Sequence, residues 1–137
     1  MSSIEPLKEW ENVDTLVDIH DWVRWIVLLG LVSGVGLGIS RHSKAEAWQP
    51  GYFTATVAAF DIQILIGIIL YFGNEGWDQG TFISVFHPIF MFAALGVSHG
   101  GMVYARRQVD GEPNKIIGYA FFVALVLVIA GVPWERL

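Results

Sequence analysis

The sequence contains no cysteine, which excludes disulfides, thiolate metal sites and thiol catalysis. Charge is also scarce. Asp, Glu, Lys and Arg make up 15% of the 137 residues, and no basic patch is large enough to suggest nucleic acid. A Gly-rich phosphate loop, an H-E-x-x-H zinc pair and a G-x-S-x-G nucleophile elbow are all missing. So are a run of acids suited to calcium, a low-complexity tract and a convincing internal repeat. A cleavable signal peptide is not expected, because the first apolar run begins only near residue 22 and follows an acidic stretch.

What is present is apolar. Hydrophobic residues make up 54% of the chain, and they are clustered. A membrane-spanning helix needs roughly 20 mostly apolar residues. Four segments qualify, at about 22–40, 52–73, 82–105 and 116–132. A soluble all-α domain would interrupt such runs with charge at nearly every helical turn. The expected fold is therefore an all-α integral membrane protein, with a four-helix transmembrane bundle over residues 20–137 and a lead-in segment over 1–19. In that lead-in, Leu7, Trp10, Val13 and Val17 recur at helical spacing with acids between them, after Pro6. The pattern suits a short helix on the outer face, packed on the bundle or contacting a partner.

Four crossings place both termini and the 73–81 loop on one side. The 41–51 and 106–115 loops lie on the other side, with Arg41, Lys44, Arg106, Arg107 and Lys115. The first side carries only Lys8 and Arg136, against a majority of acids. Lys and Arg mark the cytoplasmic side, so both termini are expected to point outward. The expected location is a bacterial cytoplasmic (inner) membrane, with the termini periplasmic or extracellular. Trp22, Trp25, Trp77 and Trp134 then fall near the outer boundary, where indoles favour the headgroup region.

Ionisable groups inside spans are costly and usually face the protein interior. Asp61 sits near the middle of the second span and Gln63 follows two residues later. Two residues turn a helix by about 200°, so their side chains face nearly opposite ways. Arg24 is a candidate cation for Asp61, though about 10 Å nearer the outer surface by helical rise. Both a buried hydrogen-bonded contact and a proton-handling role suit Asp61.

His20 and His87 lie toward the outer side on different helices, about 6 Å apart in depth by helical rise. Tilt can absorb that difference, so the two can ligate one haem. His99 follows His87 by twelve residues, about 18 Å along the same helix, and lies on another face. It suits a second site, not the same one. His42 belongs to a polar loop beside Arg41 and Lys44. For each intramembrane histidine the alternative is an interhelical hydrogen bond. His87, Met91, Ala94 and Ser98 fall along one stripe of the third span. Gly30, Gly34 and Gly38 form a repeated G-x-x-x-G that lets another helix approach closely. That stripe fits packing within the bundle, a dimer contact or room for a flat macrocycle.

Taken together, His20-Asp-Trp-Val-Arg24-Trp25, Asp61-Ile-Gln63 with Gly67 and Tyr71, His87-Pro88, His99-Gly100, Arg106-Arg107 and Val-Pro133-Trp134 form a recognisable pattern. It resembles that of small bacterial four-span membrane proteins labelled cytochrome b-like, over roughly residues 19–134. Phe86 and Asp21 depart from it, where an acid and an Asn are usual. The resemblance implies a role in haem binding or electron transfer, with His20, His87 and His99 as candidate ligands.

Three functions remain open from the sequence. The favoured one is a b-type cytochrome-like subunit holding haem b between helices within a larger membrane complex. The second is a cofactor-free accessory subunit that docks other membrane subunits, or copies of itself, through helix packing. The third is a small transporter or proton pathway built on Asp61. In the first two the protein is an electron-transfer or accessory subunit, not a free-standing enzyme.

Overall fold

The structure, a computed structural model, describes residues 5–109 and 112–137, with side chains from residue 12 onward in the first stretch. The expectations at Leu7 and Trp10 concern side chains outside the described residues. Four α-helices follow in order: α1, Glu5–Ser43; α2, Gly51–Gly73; α3, His87–Arg106; and α4, Glu112–Gly131. Among the described residues there is no strand. A five-residue π turn, Phe82–Phe86, leads into α3, and 3₁₀ turns occupy Gly76–Asp78 and Trp134–Arg136. All four helices are long and apolar enough to cross a membrane, over Asn12–Ser43, Gly51–Gly73, Phe82–Arg106 and Glu112–Gly131.

The lead-in and the first span form one unbroken helix of 39 residues. At 1.5 Å per residue it is about 58 Å long, well beyond the hydrocarbon thickness. Nothing breaks it, because Pro6 stands in its first turn, where a missing N–H costs little. Its last turn carries Arg41 and His42, which favour the negative end of the helix dipole.

Buried residues recur at helical spacing on every helix. Val27 and Leu31 of α1, Phe53 and Phe60 of α2, Met91 and Ala94 of α3, and Phe121 and Ala124 of α4 form the core. The Phe53 and Phe121 rings meet edge to face with centroids 5.5 Å apart. Outward positions are apolar as well. Leu29, Leu65, Phe92 and Phe122 are each more than half exposed. Such an outer surface is unfavourable in water and suits lipid.

The glycine stripe of α1 packs inside the bundle. Gly30 lies against Thr56 of α2, Gly34 against the Phe121 ring and Gly38 against backbone atoms of Asn114 and Gly118 of α4. Contacts are extensive between α3 and α4, α1 and α4, and α1 and α2, but sparse between α2 and α3. The helices therefore form a ring whose loosest seam is α2–α3.

Each end is tied by a side chain reaching backbone. At one end the Asn114 amide donates to the Glu46 carbonyl at 2.8 Å, and Trp48 stacks on Phe53 at 5.6 Å. At the other end Arg136 donates to the Gln79 carbonyl at 2.7 Å and to its side-chain oxygen at 3.1 Å. This second contact fastens the chain's last residues over the α2–α3 connection.

Candidate cofactor site

A cavity of about 670 Å³ opens at the end held by Arg136. That volume falls within the usual range for small-molecule sites. All four helices contribute apolar walls, including Val17, Ile68, Met91 and Val128, and polar side chains such as His20, Arg24, Gln63 and His87 share the lining.

His20 of α1 and His87 of α3 meet in this cavity. Their ring centroids are 6.4 Å apart and their planes are inclined at 78°. The structure thus brings together the two histidines that share a depth in the sequence.

His87 is held by the end of α4. Its Nδ1 lies 2.7 Å from the Gly131 carbonyl. A carbonyl can only accept, so Nδ1 carries the proton and Nε2 keeps its lone pair free. Gly131 is the last residue of α4, where helix carbonyls lack an intrahelical donor. A Cβ at Gly131 would stand 2.6 Å from Cβ of Phe90 and 2.7 Å from Cε of Met91. Glycine is therefore what lets α4 come close enough for this bond.

The segment before His87 is shaped by Pro88, which has no N–H to donate to the preceding turn. The Tyr71 hydroxyl donates to the Ser84 carbonyl at 3.1 Å, so that oxygen is satisfied from α2. The π turn at Phe82–Phe86 is also the kind of local irregularity that recurs at functional sites.

His20 is positioned by α2. Gln63, 7% exposed, donates to the His20 carbonyl at 2.8 Å. A Cβ at Gly67 would stand 3.3 Å from Cε1 of His20, so the imidazole rests directly on that glycine. One turn on, Arg24 donates to Asp21 at 3.0 Å, and its guanidinium lies 5.5 Å from the centre of the Trp25 ring. Nδ1 of His20, Nε of Arg24 and Oε1 of Gln63 are buried without a hydrogen-bond partner, and all three residues line the cavity. Leaving a buried polar atom unpaired costs about 1–3 kcal/mol. The three atoms cluster behind the cavity surface where α1 meets α2.

Asp61 and His99 lie elsewhere. Oδ1 of Asp61 is 2.7 Å from Nε2 of His99, across the α2–α3 seam, and neither residue lines the cavity. Arg24, the cation suggested for Asp61 by sequence, is instead engaged by Asp21. Gln63 and Asp61 do face different ways, one into the α1 contact and one toward α3.

Sequence reasoning did not single out Gly131 or Arg136. The available signal at Gly131 was a glycine closing a helix two residues before a proline, where carbonyls go unpaired. Arg136 gave none, because its role depends on the end of the chain folding back onto Gln79.

Among the described residues, no group of three or more His, Asp or Glu side chains gathers to hold a bare metal ion. Haem iron brings four macrocycle nitrogens of its own and takes at most two axial ligands from protein. Two histidines are enough for it. Searches against protein-family models, curated proteins and solved structures return no match to this chain.

Proposed function

We propose that this chain is a b-type cytochrome-like membrane subunit that binds haem b between α1 and α3, with His20 and His87 as axial ligands. The observation that carries the reading is the 6.4 Å separation of the two imidazole centroids, both rings lining the cavity. Two imidazoles brought this close from α1 and α3 could together hold one haem iron. The bond from His87 Nδ1 to the Gly131 carbonyl supports the same reading, because ligating histidines commonly donate their second N–H to a carbonyl.

When bound, haem supplies one-electron chemistry at its iron. The chain's residues provide the setting. Gly131 fixes the His87 tautomer, and Gln63 and Gly67 fix the height and backing of His20. Val17, Ile68, Met91 and Val128 supply apolar walls, while Arg136 places positive charge on the lining and Arg24 lies there beside its partner Asp21. His99 is left out of the axial pair because it is engaged by Asp61.

A cavity with two histidines inside a membrane bundle fits a subunit that passes electrons within a larger membrane assembly. The excess of Lys and Arg in the 41–51 and 106–115 loops supports an orientation in a bacterial inner membrane with both termini outside.

The test is a spectrum of the detergent-purified protein, oxidised and dithionite-reduced, with a pyridine haemochrome assay. The expected result is a sharp reduced α-band and close to one haem b per chain, lost in His87→Ala. A folded but colourless wild-type protein from haem-replete cells would overturn the reading in favour of a cofactor-free accessory subunit. Full haem retention in His87→Ala would overturn the ligand assignment.

A further inference from the structure

We propose that His20 is the exchangeable member of the histidine pair, so that the α1 side of the site takes a neutral diatomic ligand such as carbon monoxide while His87 stays bound. The inference rests on the haem reading of the cavity.

The two imidazoles are held in unlike ways. His87 keeps its Nδ1 2.7 Å from the Gly131 carbonyl, so Nε2 is its nitrogen free to ligate. An acceptor on the second nitrogen raises the basicity of the first and fixes the ring. Nδ1 of His20 is buried and has no hydrogen-bond partner among the described residues. What lies beside it is Gly67, where an added Cβ would stand 4.0 Å from Nδ1 and 3.3 Å from Cε1. At that point α2 offers the ring a surface but no acceptor. The bond from Gln63 reaches the His20 carbonyl, so it holds the main chain of α1 and not the imidazole.

Ligation sharpens the difference. With Nδ1 buried, His20 can reach a metal only through Nε2. A neutral imidazole that ligates through Nε2 carries its proton on Nδ1. For His87 that proton is already donated to Gly131. For His20 it is a buried donor without an acceptor, and its desolvation weakens the bond on the α1 side. His20 is therefore the ligand that leaves. The exchange is a substitution without redox change. The iron–Nε2 bond of His20 breaks, a bond to the carbon of carbon monoxide forms, each donor keeps or supplies its own electron pair, and the iron stays ferrous. Val17 of α1 and Ile64 and Ile68 of α2 line the cavity, and such apolar walls suit a neutral diatomic.

The test uses the detergent-purified, haem-loaded full chain, reduced with dithionite and titrated with carbon monoxide while the Soret band is followed. The expected result is a saturable shift in the wild type. His20→Ala should keep its haem as a five-coordinate, high-spin species, whereas His87→Ala should lose it. Gly67→Ser and Gly67→Ala press equally on Cε1, but only serine brings a hydroxyl within reach of Nδ1 as an acceptor. Gly67→Ser should therefore bind carbon monoxide about tenfold more weakly than Gly67→Ala.

Three results would each overturn the proposal and leave the haem reading standing. They are a haem-loaded wild type whose spectrum carbon monoxide leaves unchanged, equal affinities in the two Gly67 variants, and loss of haem from His20→Ala as complete as from His87→Ala. A folded wild type without haem would overturn both. Should the Gly67 variants fail to fold, the wild type and His20→Ala still decide it.

Discussion

Replacing Gly38 by Ala should open the α1–α4 contact, while the same change at Gly36 should leave it intact. A Cβ at Gly38 would sit 2.9 Å from the Asn114 carbonyl oxygen and 2.9 Å from Cα of Gly118. Both obstacles are backbone, so no rotamer change relieves them and one helix must move by a few tenths of an ångström. Overpacking of this kind costs about 1–3 kcal/mol. Gly36 is exposed, and a Cβ there meets nothing within 4 Å. The gain in helix propensity, about 0.5–1 kcal/mol for Gly to Ala, applies equally to both and cancels in the comparison. Gly38→Ala should therefore be about 1–3 kcal/mol less stable than Gly36→Ala. Gly34→Ala should also be less stable than Gly36→Ala, because its obstacle is the Phe121 ring, which is fully buried and packed on Phe53. The assay is equilibrium unfolding in mixed micelles titrated with SDS, followed by far-UV circular dichroism. Equal stability of Gly36→Ala and Gly38→Ala would refute the packing argument, and with it the assignment of the glycine stripe to the bundle interior.

Two further predictions concern the cavity. Gly131→Ala pushes against Cβ of Phe90 and should lengthen the bond from His87 to the Gly131 carbonyl. Loss of such a supporting contact weakens metal affinity by about 10–100-fold, so haem content per chain should fall sharply, and an unchanged ratio would speak against the Gly131 role. Tyr71→Phe keeps the ring but removes the donor to the Ser84 carbonyl, and should destabilise the chain by about 0.5–1.5 kcal/mol in the same SDS titration. No loss would mean that the carbonyl freed by Pro88 is satisfied in another way.

How far the sequence reaches can be judged residue by residue. The α2 span read as 52–73 is found at Gly51–Gly73, because an apolar run and its breakers are local. The opposed directions of Asp61 and Gln63 follow from helical phase alone, and both side chains obey it. The shared depth of His20 and His87 was likewise countable along two helices, and their rings do meet. Asp61 and His99 sit at comparable heights from the same end, so that pair was within reach of the same counting. It was missed because Arg24, a full charge, was the more obvious partner.

The sequence by itself determined that the chain makes four helices long and apolar enough to cross a bilayer. It also determined which side chains share a height and a face along each helix. Those are properties of consecutive residues, governed by helical rise, helical phase and the cost of placing charge in lipid. Only the tertiary structure decided which helices are neighbours and how each is rotated toward the next. That choice gave Asp61 to His99, left Arg24 to Asp21, and brought the Gly131 carbonyl to His87. Between two helices of equal hydrophobicity the sequence pattern expresses no preference. The ring order was settled by close fits such as Gly38 on Gly118 and Gly131 on Phe90, which exist only once the surfaces meet.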